Sequence, residues 1–106
     1  MDMPDIVNIY FDADSRSDVD TLLNTFAIEA VVEDEGARHQ GAVSIREWWV
    51  AAKEATHYVA EPVESTVDGN KAVVRAKVGG QFPGSPVTLT HAFTIKGDKI
   101  VRLEIL

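Results

Sequence analysis

Three residues in this chain of 106, Tyr10, Asp34 and His91, are of the types that move a proton next to a carbonyl group. A carboxylate can take a proton from carbon, while a phenol or an imidazole donates a hydrogen bond to the oxyanion that forms. That chemistry requires all three side chains on inward faces. In the stretch "AVVEDEG", Ala30, Val32 and Asp34 share one side of an extended segment, and Val31, Glu33 and Glu35 share the other. Each side carries a valine, so the period alone leaves the inward side open. Facing inward, Asp34 is a candidate base; facing outward, it is one acid of a solvated turn.

The strand-like "PVTLTHAFTI" alternates more cleanly. Val87, Leu89, His91, Phe93 and Ile95 oppose Thr88, Thr90, Ala92 and Thr94, which makes His91 the polar member of an inward row. It is either a core histidine satisfied by a carbonyl or a group of a cavity, since an unpaired buried polar group is costly. Tyr10 falls on the helical stripe Ile6, Ile9, Tyr10 and Ala13, so its hydroxyl needs an internal acceptor or a ligand. Trp48, Trp49 and Phe82 supply either apolar cavity walls or plain core. His57 stands where it can line a mouth or cap a helix C-terminus. His39, in "GARHQG", reads as solvated. No H-x-H or H-x-x-x-H pair exists, so no metal is expected. Neither a G-x-S-x-G elbow nor a nucleotide-binding glycine motif is present, and no cofactor is expected.

The elements that must position these groups follow from periodicity. A first helix starts near Pro4 and a second follows Ser17, with Asp18 and Asp20 in its first turn and Val19, Leu22, Leu23 and Phe26 as its stripe. Ser44 with Glu47 reads as a capping box opening a third helix, whose stripe is Ile45, Trp48, Trp49 and Ala52. From His57 on the signals are strands, separated by turns at Asp68-Gly69-Asn70, "PGSP" and Lys96-Gly97-Asp98. This is an α+β layout, and a sheet curved around helices leaves an open-mouthed cone for a small ligand.

Composition narrows the partners. A net charge of −7 with scattered basic residues excludes a nucleic-acid partner. The absence of a long apolar run predicts no membrane span, and with no basic leader the expected location is cytoplasmic. Val73, Val101, Leu103 and Ile105 are expected on an outer sheet row, apolar enough to predict a homodimer through the sheet face.

The segments "IYFDADSRSDVDTLLNTFAIEAVVEDEG", "GAVSIREWW", "HAFTI" and "KIVRL", in that order, resemble the SnoaL-like polyketide cyclase and ketosteroid isomerase group of the nuclear transport factor 2-like superfamily. The resemblance implies a single domain over residues 1–106, with a cone-shaped fold of three N-terminal helices packed in a curved antiparallel sheet. It places Asp34 where that group carries a proton-shuttling aspartate and Tyr10 where it carries the tyrosine of the oxyanion hole. His91 stands where a neutral carboxylic acid is expected, which departs from steroid isomerases. The implied activity is proton transfer of isomerase or cyclase type on a small hydrophobic carbonyl or polyketide-like compound. The alternatives are a dehydratase using His57 and His91, and a non-catalytic small-ligand-binding or dimerisation module.

Overall fold

A computed structural model describes residues 2–106. Helix α1 (Asp5–Ser15) starts immediately after Pro4, as the fixed φ of proline at a helix start favours. Its buried face consists of Val7, Tyr10, Phe11, Ala13 and Asp14, whereas Ile9 is 45% exposed. The expected stripe is therefore rotated. The set at 7, 10, 11 and 14 has the same helical spacing, but the acid at its end disguises it. In α2 (Val19–Asn24) the cap is Asp18, which accepts from the Thr21 N–H at 3.1 Å, in place of a start directly after Ser17. Phe26 does not continue that helix but opens strand β1 (Phe26–Asp34).

The "GARHQG" segment is not a free loop. Strand β2 (Ala37–Gln40) folds back on β1 before α3 (Gly41–Thr56) begins. The capping box is thus displaced: α3 starts three residues before Ser44, directly after Gln40, whose side chain makes no cap bond. Gly41, at φ +85°, makes the turn out of the strand that an L-residue rarely adopts.

Strands β3 (Val59–Asp68), β4 (Lys71–Gly79), β5 (Val87–Lys96) and β6 (Lys99–Ile105) complete one sheet of order β2-β1-β6-β5-β4-β3. The β5–β6 turn has Gly97 at φ +57° and Asp98 at φ +61°, the paired positive angles of a type I′ hairpin. The α+β architecture, with helices against a curved six-stranded sheet, agrees with expectation. The pairing differs in one respect: β6 inserts between β5 and β1 and runs parallel to β1, so the sheet is mixed and not wholly antiparallel.

The core lies between the helices and the inner sheet face. Leu22, Ile45, Phe93, Ile100 and Leu103 are fully buried, and Tyr10 packs edge-on against Phe11, Phe26 and Phe93 at 5.3–5.9 Å. This corrects the expected outer row. Leu103 pairs with Phe93 and Ile105 with His91, so both belong to the inner face, where cross-strand neighbours share a side. Val73 does face outward, 39% exposed. Among the described residues no helix is long and apolar enough to cross a membrane.

Candidate active site

A cavity of about 540 Å³ opens between α1, α3 and the concave sheet. Tyr10 from α1, Asp34 from the end of β1 and His91 from the middle of β5 all contribute to its wall. The side of β1 that periodicity leaves open is thereby decided. Asp34 pairs with Ile105 on the inner face, while Glu33 turns outward to an ion pair with Arg102 at 2.7 Å. Glu35, at φ +51°, is exposed at the cavity margin.

Among the described residues one side chain donates to Asp34, the Trp48 indole N–H, at 3.0 Å from its Oδ2. Trp48 and Phe82 both line the cavity. Trp49 does not: on the buried side of α3 it donates to Asp14 Oδ1 at 2.8 Å. His57 also lies outside. It is exposed, in the left-handed conformation at φ +49°, and its backbone N–H closes the C-terminus of α3 on the Lys53 carbonyl. An acid–base pair of His57 with His91 therefore does not exist in this fold. His39 is half-buried, its ring 6.1 Å from that of Trp48.

Asp14, Tyr58 and Lys53 form a polar cluster that sequence reasoning missed. Asp14 is 1% exposed and lines the cavity. Its Oδ1 also accepts from the Tyr58 hydroxyl at 2.7 Å and lies 3.6 Å from Lys53 Nζ. Lys53 donates to the Tyr58 carbonyl at 2.9 Å and sits 3.7 Å over the Tyr58 ring centroid, a close cation–π contact. The available signal was the second helical stripe of α1, which carries Asp14 inward beside Phe11.

Burial sets the protonation states. Tyr10 is pushed well above the usual phenol range, first by desolvation and then by the negative charges of Asp14 and Asp34, so it stays a hydrogen-bond donor. Tyr58 moves the same way, chiefly through burial. Desolvation pulls His91 below its ordinary value, against the opposing pull of the Leu89 backbone, Asp14 and Asp34. Its Nδ1 is buried without a hydrogen-bond partner among the described residues. Lys53 is also lowered by desolvation, with Asp14 working against the shift. The wall thus combines one singly bonded carboxylate, two neutral phenols and an imidazole that favours neutrality. Among the described residues no group of three or more His, Cys, Asp or Glu is arranged to hold a metal ion.

A match to the SnoaL-like domain covers residues 7–103. A crystal structure from Sinorhizobium meliloti, of a protein provisionally named a polyketide cyclase, is 73% identical over 100% of this chain and 97% of that one, with TM-score 0.98. Two more distant structures share the fold. One, from Catenulispora acidiphila, has a ketosteroid isomerase-like fold and was crystallised with trimethylamine. It is 20% identical over 99% of this chain and 86% of its own, with TM-score 0.83. The other is SalBIII, an epoxide hydrolase/cyclase-like enzyme of pyran ring formation in salinomycin, 22% identical over 96% and 87%, with TM-score 0.84. No curated protein matches the chain.

Proposed function

The chain belongs to the SnoaL-like domain family, and from that footing we propose that it transfers a proton within a small, largely apolar carbonyl compound, with Asp34 as the base. The observation that carries this reading is that Asp34, Tyr10 and His91, from three separate elements, line one cavity. Asp34 takes a proton from the carbon next to the carbonyl. The C–H electron pair becomes a C=C bond and the carbonyl pair moves onto oxygen. Tyr10, neutral and buried, donates to that oxyanion, and His91 lines the same space. The carboxylic acid then returns the proton to another carbon; for ring closure the enolate carbon instead attacks a second carbonyl carbon as the first C=O re-forms, the pair of the second C=O bond moves onto its oxygen, and the Asp34 carboxylic acid protonates that alkoxide.

Asp14 is the weaker candidate for base. Its Oδ1 is already taken up by two donors, the Trp49 indole and the Tyr58 hydroxyl, and lies 3.6 Å from Lys53 Nζ. Its place is to hold Tyr58 and Trp49. The relative provisionally named a polyketide cyclase supports chemistry of this type on a polyketide-like carbonyl compound. The test is a deuterium-exchange screen of cyclic ketones and 1,3-diketones with wild type and Asp34→Asn. Exchange α to the carbonyl that depends on Asp34 is expected. Equal exchange in both proteins removes Asp34 as the base.

We propose in addition that two copies pair through the outer sheet face. Val59 and Val73 are exposed there, and Glu64–Arg75 and Glu33–Arg102 place opposite charges across it. Sedimentation at micromolar concentration is expected to give twice the 11.6 kDa chain mass, and a monomer refutes the pairing.

A further inference from the structure

The charged side chains on the cavity wall are all of one sign. Asp14, Asp34 and Glu35 line it, and no lysine or arginine does. Of the three, Asp14 has an ion-pair partner among the described residues. That cation, Lys53, stands off the wall, 3.6 Å from Asp14 Oδ1 and stacked over Tyr58. Asp34 is bonded to a neutral indole, and neither Asp34 nor Glu35 has an ion pair among the described residues. The same wall carries the rings of Tyr10, Trp48, Tyr58 and Phe82. Carboxylates with aromatic rings are the surroundings that hold an ammonium group. The protein already seats one in this way: Lys53 Nζ lies between Asp14 and the rings of Tyr58 and Trp49, 3.7 and 5.6 Å from their centroids.

His91 adds an independent observation. It is 5% exposed on the cavity wall, and its Nδ1 has no partner among the described residues. It therefore shows that the pocket's polar groups are not all satisfied by the fold. Being driven towards neutrality by burial, the ring also supplies no positive charge to offset the carboxylates.

We infer that the cavity selects a cationic ligand, a small carbonyl compound bearing a protonated or quaternary amine, and excludes carboxylate and phosphate analogues. An anion entering this space would lose its hydration and meet only like charges. A cation is drawn in by Asp34 and Glu35 and finds aromatic faces when it arrives. The selection deepens the proton-transfer reading, because a positive charge close to the carbonyl also makes the adjacent C–H more acidic. The inference rests on that reading for the carbonyl and on the wall alone for the charge.

The test is binding of three matched probes to wild-type protein, followed by amide and indole N–H chemical shifts. Phenyltrimethylammonium is the cation, tert-butylbenzene its neutral isostere, and benzoate the anion. The expected result is a Kd for the cation about ten-fold lower than for the neutral isostere, within the usual range of a cation–π site. The advantage should shrink with added salt and in Asp34→Asn, with shifts at Trp48 and Tyr58 and none with benzoate. Equal binding of cation and isostere, any saturable binding of benzoate in the cavity, or cation shifts confined to the outer surface would overturn the inference. The two readings fail separately. Asp34-dependent exchange of neutral ketones without cation preference leaves the reaction and removes the selection; cation preference without exchange does the reverse.

Discussion

Trp48 Nε1 donates to Asp34 Oδ2 at 3.0 Å, tying the first turns of α3 to the end of β1 on the wall of the cavity. This is the sole side-chain hydrogen bond to Asp34 among the described residues, so it orients the proposed base while leaving Oδ1 free for a proton.

Replacing Trp48 with phenylalanine keeps a ring on the wall and removes the donor. A hydrogen bond to a charged group contributes about 1.5–3 kcal/mol, and loss of orientation adds to that. Trp48→Phe should therefore reduce α-proton exchange by roughly ten- to a hundred-fold, mostly in kcat, which steady-state kinetics on a confirmed substrate will show.

Tyr10→Phe removes the phenol aimed at the oxyanion. Loss of one such donor costs about a hundred-fold or more in kcat, while the ring still packs against Phe93. Because burial and two nearby carboxylates hold the Tyr10 proton firmly, the wild-type rate should show no fall assignable to Tyr10 up to pH 10, its ordinary value. A pH–rate profile comparing the two proteins checks both points.

Asp14 and Lys53 should be coupled. Asp14→Asn leaves the Lys53 ammonium among Trp49 and Tyr58 without its counter-charge, and breaking a buried pair costs about 3 kcal/mol. Adding Lys53→Met should recover part of that loss, so the double variant is more stable than the sum of the singles predicts. Urea unfolding of the three variants measures the coupling directly.

His91 makes stability depend on pH with a definite sign. Its folded value lies below the ordinary 6.5 because burial disfavours the charged ring. As pH falls through about 6.5, the unfolded chain takes up the proton first, so the folded state loses stability down to the lower folded value. Above 6.5 neither state is protonated and the contribution is complete. Compared with His91→Gln, wild type should lose stability faster below about pH 6.5, seen as diverging urea midpoints.

Gly80 is held by a close approach of backbones. A Cβ there would lie 2.7 Å from the Thr56 carbonyl oxygen and 2.9 Å from the Tyr58 Cα, where α3 meets β3. Gly80→Ala should cost about 1–3 kcal/mol and displace the loop that carries Phe82 to the cavity. Thermal unfolding and the Phe82 ring resonances will report the two effects.

Local chemistry made much of this legible. The alternation of β5 is a two-residue period, so it placed His91 inward without reference to any other element. Gly69-Asn70 and Gly97-Asp98 marked hairpins because few other residues adopt the backbone those turns require. Where local signals conflicted, they failed. Asp14 was invisible because a carboxylate on a buried stripe breaks the very pattern used to find the stripe. Ser44 and Glu47 had the spacing of a cap, but Gly41 and the β1–β2 pairing had already started the helix.

By itself, then, the chain determined the α+β order of elements, the inward row of β5 and a short set of groups able to move protons. Only the tertiary structure chose the side of β1 on which Asp34 lies, ran β6 parallel to β1, and sent the two neighbouring tryptophans to two different aspartates. The physical reason is that a buried carboxylate is tolerated only once donors surround it. For Asp14 those donors, Trp49 and Tyr58, stand 35 and 44 residues away along the chain.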